Sequence, residues 1–446
     1  MTEGPMLLPM LRYAFPIVFS NLLQLFYNSA DMFVLGNFCR DENALGSVGC
    51  TSALINLILG LFIGLGAGVC VTLAQSIGSG DRERVVRTVH TSVLLSIILG
   101  AAVTVIGVLF TPKLLVLMKT PEEFLAGASI YVKIYFCGSV PNIMYNFLSG
   151  ILCSRGDTVH PLIFSSVGGA VNIVFNLIFV IVFGMGVDGV AIATVISQLL
   201  SALLTLIYMS RLENDCRFVP SKLAIDKTVL KLLLRIGIPA GIQVTLFSLS
   251  NVLLQSSYNE LGPLYVKANT AASNVDAYID SILVSFYHVA LIFSSRNYGA
   301  KNAERIKKVF FLSCGLECVL GIVLGVLSYI FAEPLVSIFD SNPEVVEAAK
   351  IRFLALGLSY FLSGLMDTGT AMLRSIGKSL MATVITFIGS CLLRIVWVYT
   401  IFAVYHNIFV LYLVYPVSWF LTFAALITAF FILLRRETRK WKECSA

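Results

Sequence analysis

Asp31 lies between Tyr13 and Phe38, in a run that carries no other charged residue. A charge at the centre of a membrane helix costs roughly 2.5–3.5 kcal/mol on insertion scales, so an acid held there is a candidate for binding a cation or carrying a proton. Tyr27 precedes it by four residues; the two share a helix face, and the phenol could donate to the carboxylate. Asn172 and Asn176 have the same spacing and offer two amides from one face. Burial and hydrogen bonding act in opposite senses on such a carboxyl, so proton exchange near neutral pH is accessible chemistry. Asp276 and Asp280 repeat the four-residue spacing in the second half of the chain, and Asp367 is a further acid in an apolar run. These three could form a second proton or substrate site, or line a wet cavity. Glu317 and Arg394, also within apolar runs, are expected to pair with each other.

Other chemistries find little support. The four histidines and ten cysteines are scattered without ligand spacing, so neither a zinc site nor a disulfide framework is expected. No metal is implied beyond a sodium ion at the Asp31 pocket. The loops Gly78–Arg87 and Gly299–Lys308 lack the glycine and lysine spacing of a phosphate-binding loop and follow no strand, which argues against an ATP-driven pump. No cofactor is expected.

The elements that must hold these residues are membrane helices. The chain has 446 residues, 58% hydrophobic and 13% charged, with a mean hydropathy of +0.89. Soluble domains carry about 25% charged residues, so this composition excludes a large soluble enzyme and points to a polytopic membrane protein. Apolar runs long enough to cross hydrocarbon can be placed as twelve helices, beginning with 13–38, 47–75, 91–111, 131–153, 160–183 and 188–208, and continuing with 236–258, 270–293, 308–331, 351–373, 380–404 and 408–434. Of the 31 Lys and Arg, 23 fall in the termini and even-numbered loops and five in the odd-numbered loops (Arg40, Lys113, Lys119, Lys267 and Lys350). That asymmetry puts both termini and the central loop in the cytoplasm. It also accounts for the net charge of +6 without a nucleic-acid partner. The partners expected are the bilayer and small organic molecules, with the chain acting as a monomer.

The chain repeats itself. Gly78-Ser-Gly-Asp81-Arg-Glu83-Arg84-Val matches Gly299-Ala-Lys-Asn302-Ala-Glu304-Arg305-Ile, and Leu152-Cys-Ser154-Arg-Gly156-Asp157 matches Leu373-Arg-Ser375-Ile-Gly377-Lys378, both shifted by 221. Pro112 and Pro121 pair with Pro334 and Pro343, and Pro16 with Pro239. Each half holds six helices, so the halves keep one orientation and are related by a pseudo-twofold axis along the membrane normal. The expected fold is all-α: residues 1–215 form the first lobe, 216–235 a cytoplasmic connecting loop, and 236–446 the second lobe. Pro16, Pro141 and Pro239 remove helical hydrogen bonds and can kink their helices. Pro16 is expected to act as a hinge for the helix carrying Asp31. Gly60, Gly64 and Gly68 are spaced for close helix packing.

In sequence the chain resembles the multidrug and toxic compound extrusion family of secondary transporters, in its DinF-like bacterial branch. The resemblance covers essentially the whole chain. It rests on Met1-Thr-Glu-Gly-Pro5, Pro16…Tyr27-Asn28…Asp31…Gly36, Gln75…Gly78-Ser-Gly-Asp81 and Arg155-Gly156-Asp157-Thr158…Pro161. It continues through Asn172…Asn176, Gly186-Val-Asp-Gly189-Val-Ala191-Ile-Ala193-Thr194, Gly237-Ile-Pro239-Ala-Gly and Asn297-Tyr298-Gly299-Ala300. The family implies two six-helix lobes and efflux driven by proton or sodium entry. Carried over residue by residue, its cation site in the first lobe falls on Asp31, Tyr27, Asn172, Asn176 and Thr194. Several family members have a second Asp where this chain has Asn176; a single carboxylate weakens a sodium site and favours protons. The NorM-like branch places a Glu within helix 7, whereas Pro239–Tyr258 has no acid here and Glu260 sits at the helix end.

The expected function is an antiporter of a bacterial inner membrane, exporting amphipathic, cationic organic compounds by alternating access. Phe26, Tyr145 and Tyr287 are expected to line its substrate cavity. Two alternatives are a flippase for lipid-linked saccharides of the related superfamily and a membrane-embedded enzyme. The first would be expected to carry basic cavity residues for pyrophosphate, and the helices offer few (Lys133, Arg352, Arg394). The second needs a nucleophile–base or metal constellation that the sequence does not offer.

Overall fold

A backbone in hydrocarbon must satisfy its own hydrogen bonds, and a chain this apolar does so as helices. The computed structural model of the chain describes residues 1–443 other than 40 and 42, so Arg40 of the charge count lies outside the described residues. Among those residues there is no strand, and nine helices are long and apolar enough to cross a membrane. A tenth span is the pair Glu122–Cys137 and Ser139–Arg155, bent by 49°. Pro141 explains the bend, because it cannot donate to the carbonyl four residues back, at Cys137. The 32-residue Leu7–Phe38 helix and the consecutive helices Pro343–Gly357 and Tyr360–Ser375 complete twelve spans. Only the polar residues of the former and the shortness of the latter keep them below that hydropathy and length.

The repeat is visible in the backbone. Gly80 and Lys301, 221 apart, both take a left-handed conformation, with φ of 72° and 55°. The residues that follow, Asp81 and Asn302, each cap a helix by accepting from the backbone N–H three residues on, at 2.9 and 3.1 Å. Gly156 and Gly377 end their helices with φ of 105° and 76°. These turns read as helix connections, as expected.

The chain divides into two compact units, Phe15–Gly237 and Met1–Ala14 with Ile238–Ala446. These boundaries differ from the expected 1–215, 216–235 and 236–446. The first fourteen residues belong with the second unit. There Arg305 donates to the carbonyls of Glu3 and Gly4, both at 3.2 Å, and Tyr13 meets Phe293 edge-on. The stretch 216–235, expected as a connecting loop, becomes helix from Lys227 onward. Val219 N–H donates to His90 Nε2 at 3.1 Å, Asp226 pairs with Arg87 at 3.2 Å, and Leu233 is in the first unit's core. Gly68 and Gly237 let the backbones of Ser52–Gly78 and the start of Lys227–Glu260 touch: an added Cβ at Gly68 would lie 3.1 Å from Gly237 Cα.

Within the first unit, one core gathers Phe62, Leu65, Val69 and Leu73 with Phe147 and Ile151. A second gathers Val34, Leu35, Leu115, Val132 and Phe136, next to Asp31 along its helix. The second unit has one large core running from Leu254 to Leu434.

Candidate functional site

Asp31 lies midway along the Leu7–Phe38 helix, and the Val159–Leu177 helix presents Asn172 and Asn176 to it. Asn176 Nδ2 donates to Asp31 Oδ1 in a short hydrogen bond and also to Asn172 Oδ1 at 3.3 Å. Asn172 Nδ2 donates to Thr194 Oγ1 at 3.3 Å, and that hydroxyl donates to the Val190 carbonyl at 2.9 Å. Asn172 and Thr194 also bear on the Asp31 carboxylate, and the Asp31 charge in turn reaches the phenols of Tyr131 and Tyr135 on Glu122–Cys137. Four of the five residues in the expected set therefore meet in one pocket of the first unit.

Tyr27 is placed differently. Its hydroxyl donates to the Ser166 carbonyl at 3.4 Å, not to Asp31, and its ring packs over Gly169, where any Cβ would collide with it. The i,i+4 spacing aligned the two side chains, but the glycine-sized gap on the neighbouring helix drew the phenol away. No motif or spacing in the sequence singles out Gly169, Tyr131 or Tyr135. The aromatics belong to a helix whose pairing with Asp31 no local pattern reveals.

One atom gives the pocket its chemistry. Asn176 is fully buried, and its Oδ1 has no hydrogen-bond partner among the described residues. An orphaned acceptor beside a carboxylate can receive the proton of a neutral Asp31, or join Asp31 and Thr194 as an oxygen ligand to a monovalent cation. Among the described residues no three His, Cys, Asp or Glu side chains stand close enough to hold a metal ion.

The acids of the second unit separate into two groups. Asp276 is tied down: Arg352 pairs with it at 2.6 Å, and Tyr360 donates to it in a short bond. Arg352 in turn donates to Asn269 at 2.5 Å and lies against the rings of Tyr412 and Tyr415. Asp280 shares with this pair a cavity of about 230 Å³ whose walls include Tyr360, Tyr415 and Trp419. Asp280 and Asp367 form no hydrogen bond or ion pair among the described residues; the charge of Asp280 acts on Asp367, and both act on Glu317. Glu317 is wholly buried, both its oxygens lack partners, and Gly364 leaves the space its carboxyl fills. The expected Glu317–Arg394 pair does not form. Arg394 instead donates to Ser418 and Asn251, both at 3.4 Å.

The three aromatic residues expected in a cavity have distinct settings. Phe26 is exposed. Tyr145 donates to the Pro161 carbonyl at 2.9 Å. Tyr287 is buried, and its hydroxyl accepts from Arg374 at 2.6 Å. At the end of the first unit's spans, Asp157 accepts from His160 Nδ1 and Tyr208 Oη at 2.8 and 3.0 Å. Burial pushes the Asp157 carboxyl up, but the bonds from His160 and Tyr208 outweigh it and hold it below the usual carboxylate range.

Comparison with known proteins matches this arrangement to one family. The MatE family model matches residues 16–178 and 239–400. The probable multidrug resistance protein YoeA of Bacillus subtilis is 30% identical over 83% of this chain and 81% of its own length. The probable multidrug resistance protein NorM of Thermotoga maritima is 27% identical over 85% and 82%. A solved structure described as MATE in the bent conformation superposes with a TM-score of 0.87 at 21% identity, covering 98% of this chain and 96% of that one.

Proposed function

We propose, from the premise that this chain belongs to the MatE family and is a multidrug efflux transporter of the membrane, that it is a proton-coupled antiporter for amphipathic organic cations. The observation that carries the reading is the half-buried Asp31 beside Asn176, whose Oδ1 is unpartnered among the described residues. With Asp31 ionised, Asn176 Nδ2 donates to it. Once Asp31 takes a proton it becomes a donor, and Asn176 Oδ1 is at hand to accept. The amide pair Asn172–Asn176 then loses its reason to hold the present arrangement, and the helix carrying Asp31 is free to move. Pro16 is the proposed hinge: the packing of this helix changes unit between Ala14 and Phe15, immediately before it.

Energetics bound the coupling. Exchange of one proton for one monovalent cation moves no net charge, so the membrane potential cancels. One unit of pH gradient then supplies about 1.4 kcal/mol, enough for roughly a tenfold substrate gradient. A steeper gradient needs a second proton. Asp280, Asp367 and Glu317 are better suited to carry it than Asp276, which Arg352 and Tyr360 already engage. Both termini are read as cytoplasmic on the distribution of the basic residues, and the chain is read as a monomer of the bacterial inner membrane.

The test is uptake of rhodamine 6G into inverted vesicles under an imposed pH or sodium gradient, for wild type and Asp31→Asn. Uptake driven by the pH gradient and lost in Asp31→Asn supports the reading. Uptake driven only by sodium reassigns the ion to the same pocket. Normal transport by Asp31→Asn removes Asp31 from the mechanism.

A further inference from the structure

The repeat aligns the Asp31 pocket with a position in the second unit that carries the opposite charge. Asn172-Ile-Val-Phe175 corresponds to Arg394-Ile-Val-Trp397, shifted by 222, whereas Gly156 and Gly377 at the starts of these helices are shifted by 221. The extra residue is accommodated by a π segment, Phe387–Leu392, where the first unit's helix is regular. A π turn holds one more residue than an α turn, and such bulges cluster at functional sites. A second π segment, Val398–Phe402, follows, so Arg394 sits on a short α stretch, Leu393–Trp397, between two bulges. Where the first unit presents an amide to Asp31, the second presents a guanidinium. Position 254, the repeat partner of Asp31, is a buried leucine.

Arg394 is 3% exposed, and no carboxylate among the described residues pairs with it. The ionisable groups that act on it are Tyr415, Cys391, Tyr258 and the like-charged Arg352. Its two hydrogen bonds, both 3.4 Å, are at the weak end of the range. Its best contact is with the ring of Tyr415, 4.5 Å from the guanidinium carbon, with Phe247 at 5.8 Å. Tyr415 also walls the neighbouring cavity, which is lined by Asp276, Asp280, Arg352 and Trp419 and from which Arg394 is set back behind the Tyr415 ring. A buried cation in a membrane lobe is costly unless something neutralises it, and Arg352 already has its own carboxylate.

We propose that Arg394, with Tyr415 and Phe247, forms an anion subsite in the second unit that takes the carboxylate or phosphate of an aromatic organic molecule. Arginine fits planar oxyanions through paired donors, and the flanking rings fit an aromatic body. The proposal rests on the transporter reading for its purpose, and it widens the substrate class from cations to amphipathic molecules that carry an anionic group.

Equilibrium binding tests it without any ion gradient, so failure of the efflux assay leaves it standing. Carboxyfluorescein anisotropy is measured with purified full-length protein in nanodiscs. Saturable binding to wild type is expected, weakened at least tenfold in Arg394→Gln and recovered only in part in Arg394→Lys, which keeps the charge but not the paired donors. Should Arg394→Gln not fold, competition on wild type decides: 2-naphthoate should displace the dye and 2-naphthamide should not. No saturable binding, unchanged binding in Arg394→Gln, or equal displacement by the amide would each overturn the proposal.

Discussion

The two six-helix units share a scaffold and differ in chemistry. Their turns match down to the left-handed residues Gly80 and Lys301 and the caps Asp81 and Asn302. Their interiors do not. The first unit holds one acid among amides, Asp31 with Asn172, Asn176 and Thr194. In the second, Arg352 is locked to Asp276, Arg394 lacks a counter-charge, and Asp280, Glu317 and Asp367 act on one another. A duplicated backbone constrains caps and turns because those are set by local hydrogen bonds. It leaves free the side chains that face inward, and there the two units have diverged.

The largest expected effect falls on the first unit. Asp31→Asn should reduce gradient-driven rhodamine 6G uptake to background, whereas Asp276→Asn should leave pH-driven uptake measurable. Equal loss from both would break the assignment of coupling to one unit. The next effect is structural and belongs to the second unit. Arg352→Met leaves the half-buried Asp276 without its counter-charge and should destabilise by about 3 kcal/mol, the low end for a buried pair. The double change Arg352→Met/Asp276→Asn should recover much of that in thermal melts in detergent. Failure to recover would mean that Arg352 acts through the Tyr412 and Tyr415 rings rather than through the pair.

Smaller effects sharpen the comparison at the helix ends. Asp157 corresponds to Lys378 in the repeat, so the His160–Asp157–Tyr208 cluster is peculiar to the first unit. Because Asp157 titrates below its usual range, its stabilisation is complete above the ordinary carboxyl pKa near 4 and is lost as pH falls through the lower native value. Asp157→Asn should therefore lower stability at pH 7 by about 1.5–3 kcal/mol, the worth of hydrogen bonds to a charged group. The difference should shrink in melts run below pH 4. The smallest effect is at the paired turns. Lys301→Gly should stabilise by about 1 kcal/mol by relieving a side chain in left-handed backbone, and Gly80→Lys should cost a similar amount.

Much of this was legible in the chain. The helices, the repeat and the significance of Asp31 follow from hydropathy, spacing and the cost of an intramembrane charge. Asn172 and Asn176 were identifiable as one polar face, and the structure puts that face on Asp31. Other contacts escaped a one-dimensional reading. The spacing of Tyr27 and Asp31 suggested a bond, but Gly169 receives the phenol ring instead. Glu317 and Arg394 were expected to neutralise each other, yet neither finds an opposite charge. The first fourteen residues pack with the second unit because Arg305 and Phe293 meet them there. The π segment Phe387–Leu392, which sets Arg394 out of the 221 register, shows as one extra residue in the repeat, a signal that becomes readable only once both helices are aligned.

The sequence by itself determined which segments leave water, how many there are, and where an unaffordable charge sits. Those are properties of local composition, period and length. The tertiary structure decided which polar groups answer that charge. Asp31 and Asn176 are 145 residues apart, and their meeting depends on how whole helices pack, which no local pattern encodes. It also decided that Asn176 keeps one oxygen unsatisfied and that Arg394 stays without a counter-charge. Both follow from the same cause: a tightly packed bundle fixes side chains in place, and the partners each can reach are those the packing leaves within hydrogen-bond distance.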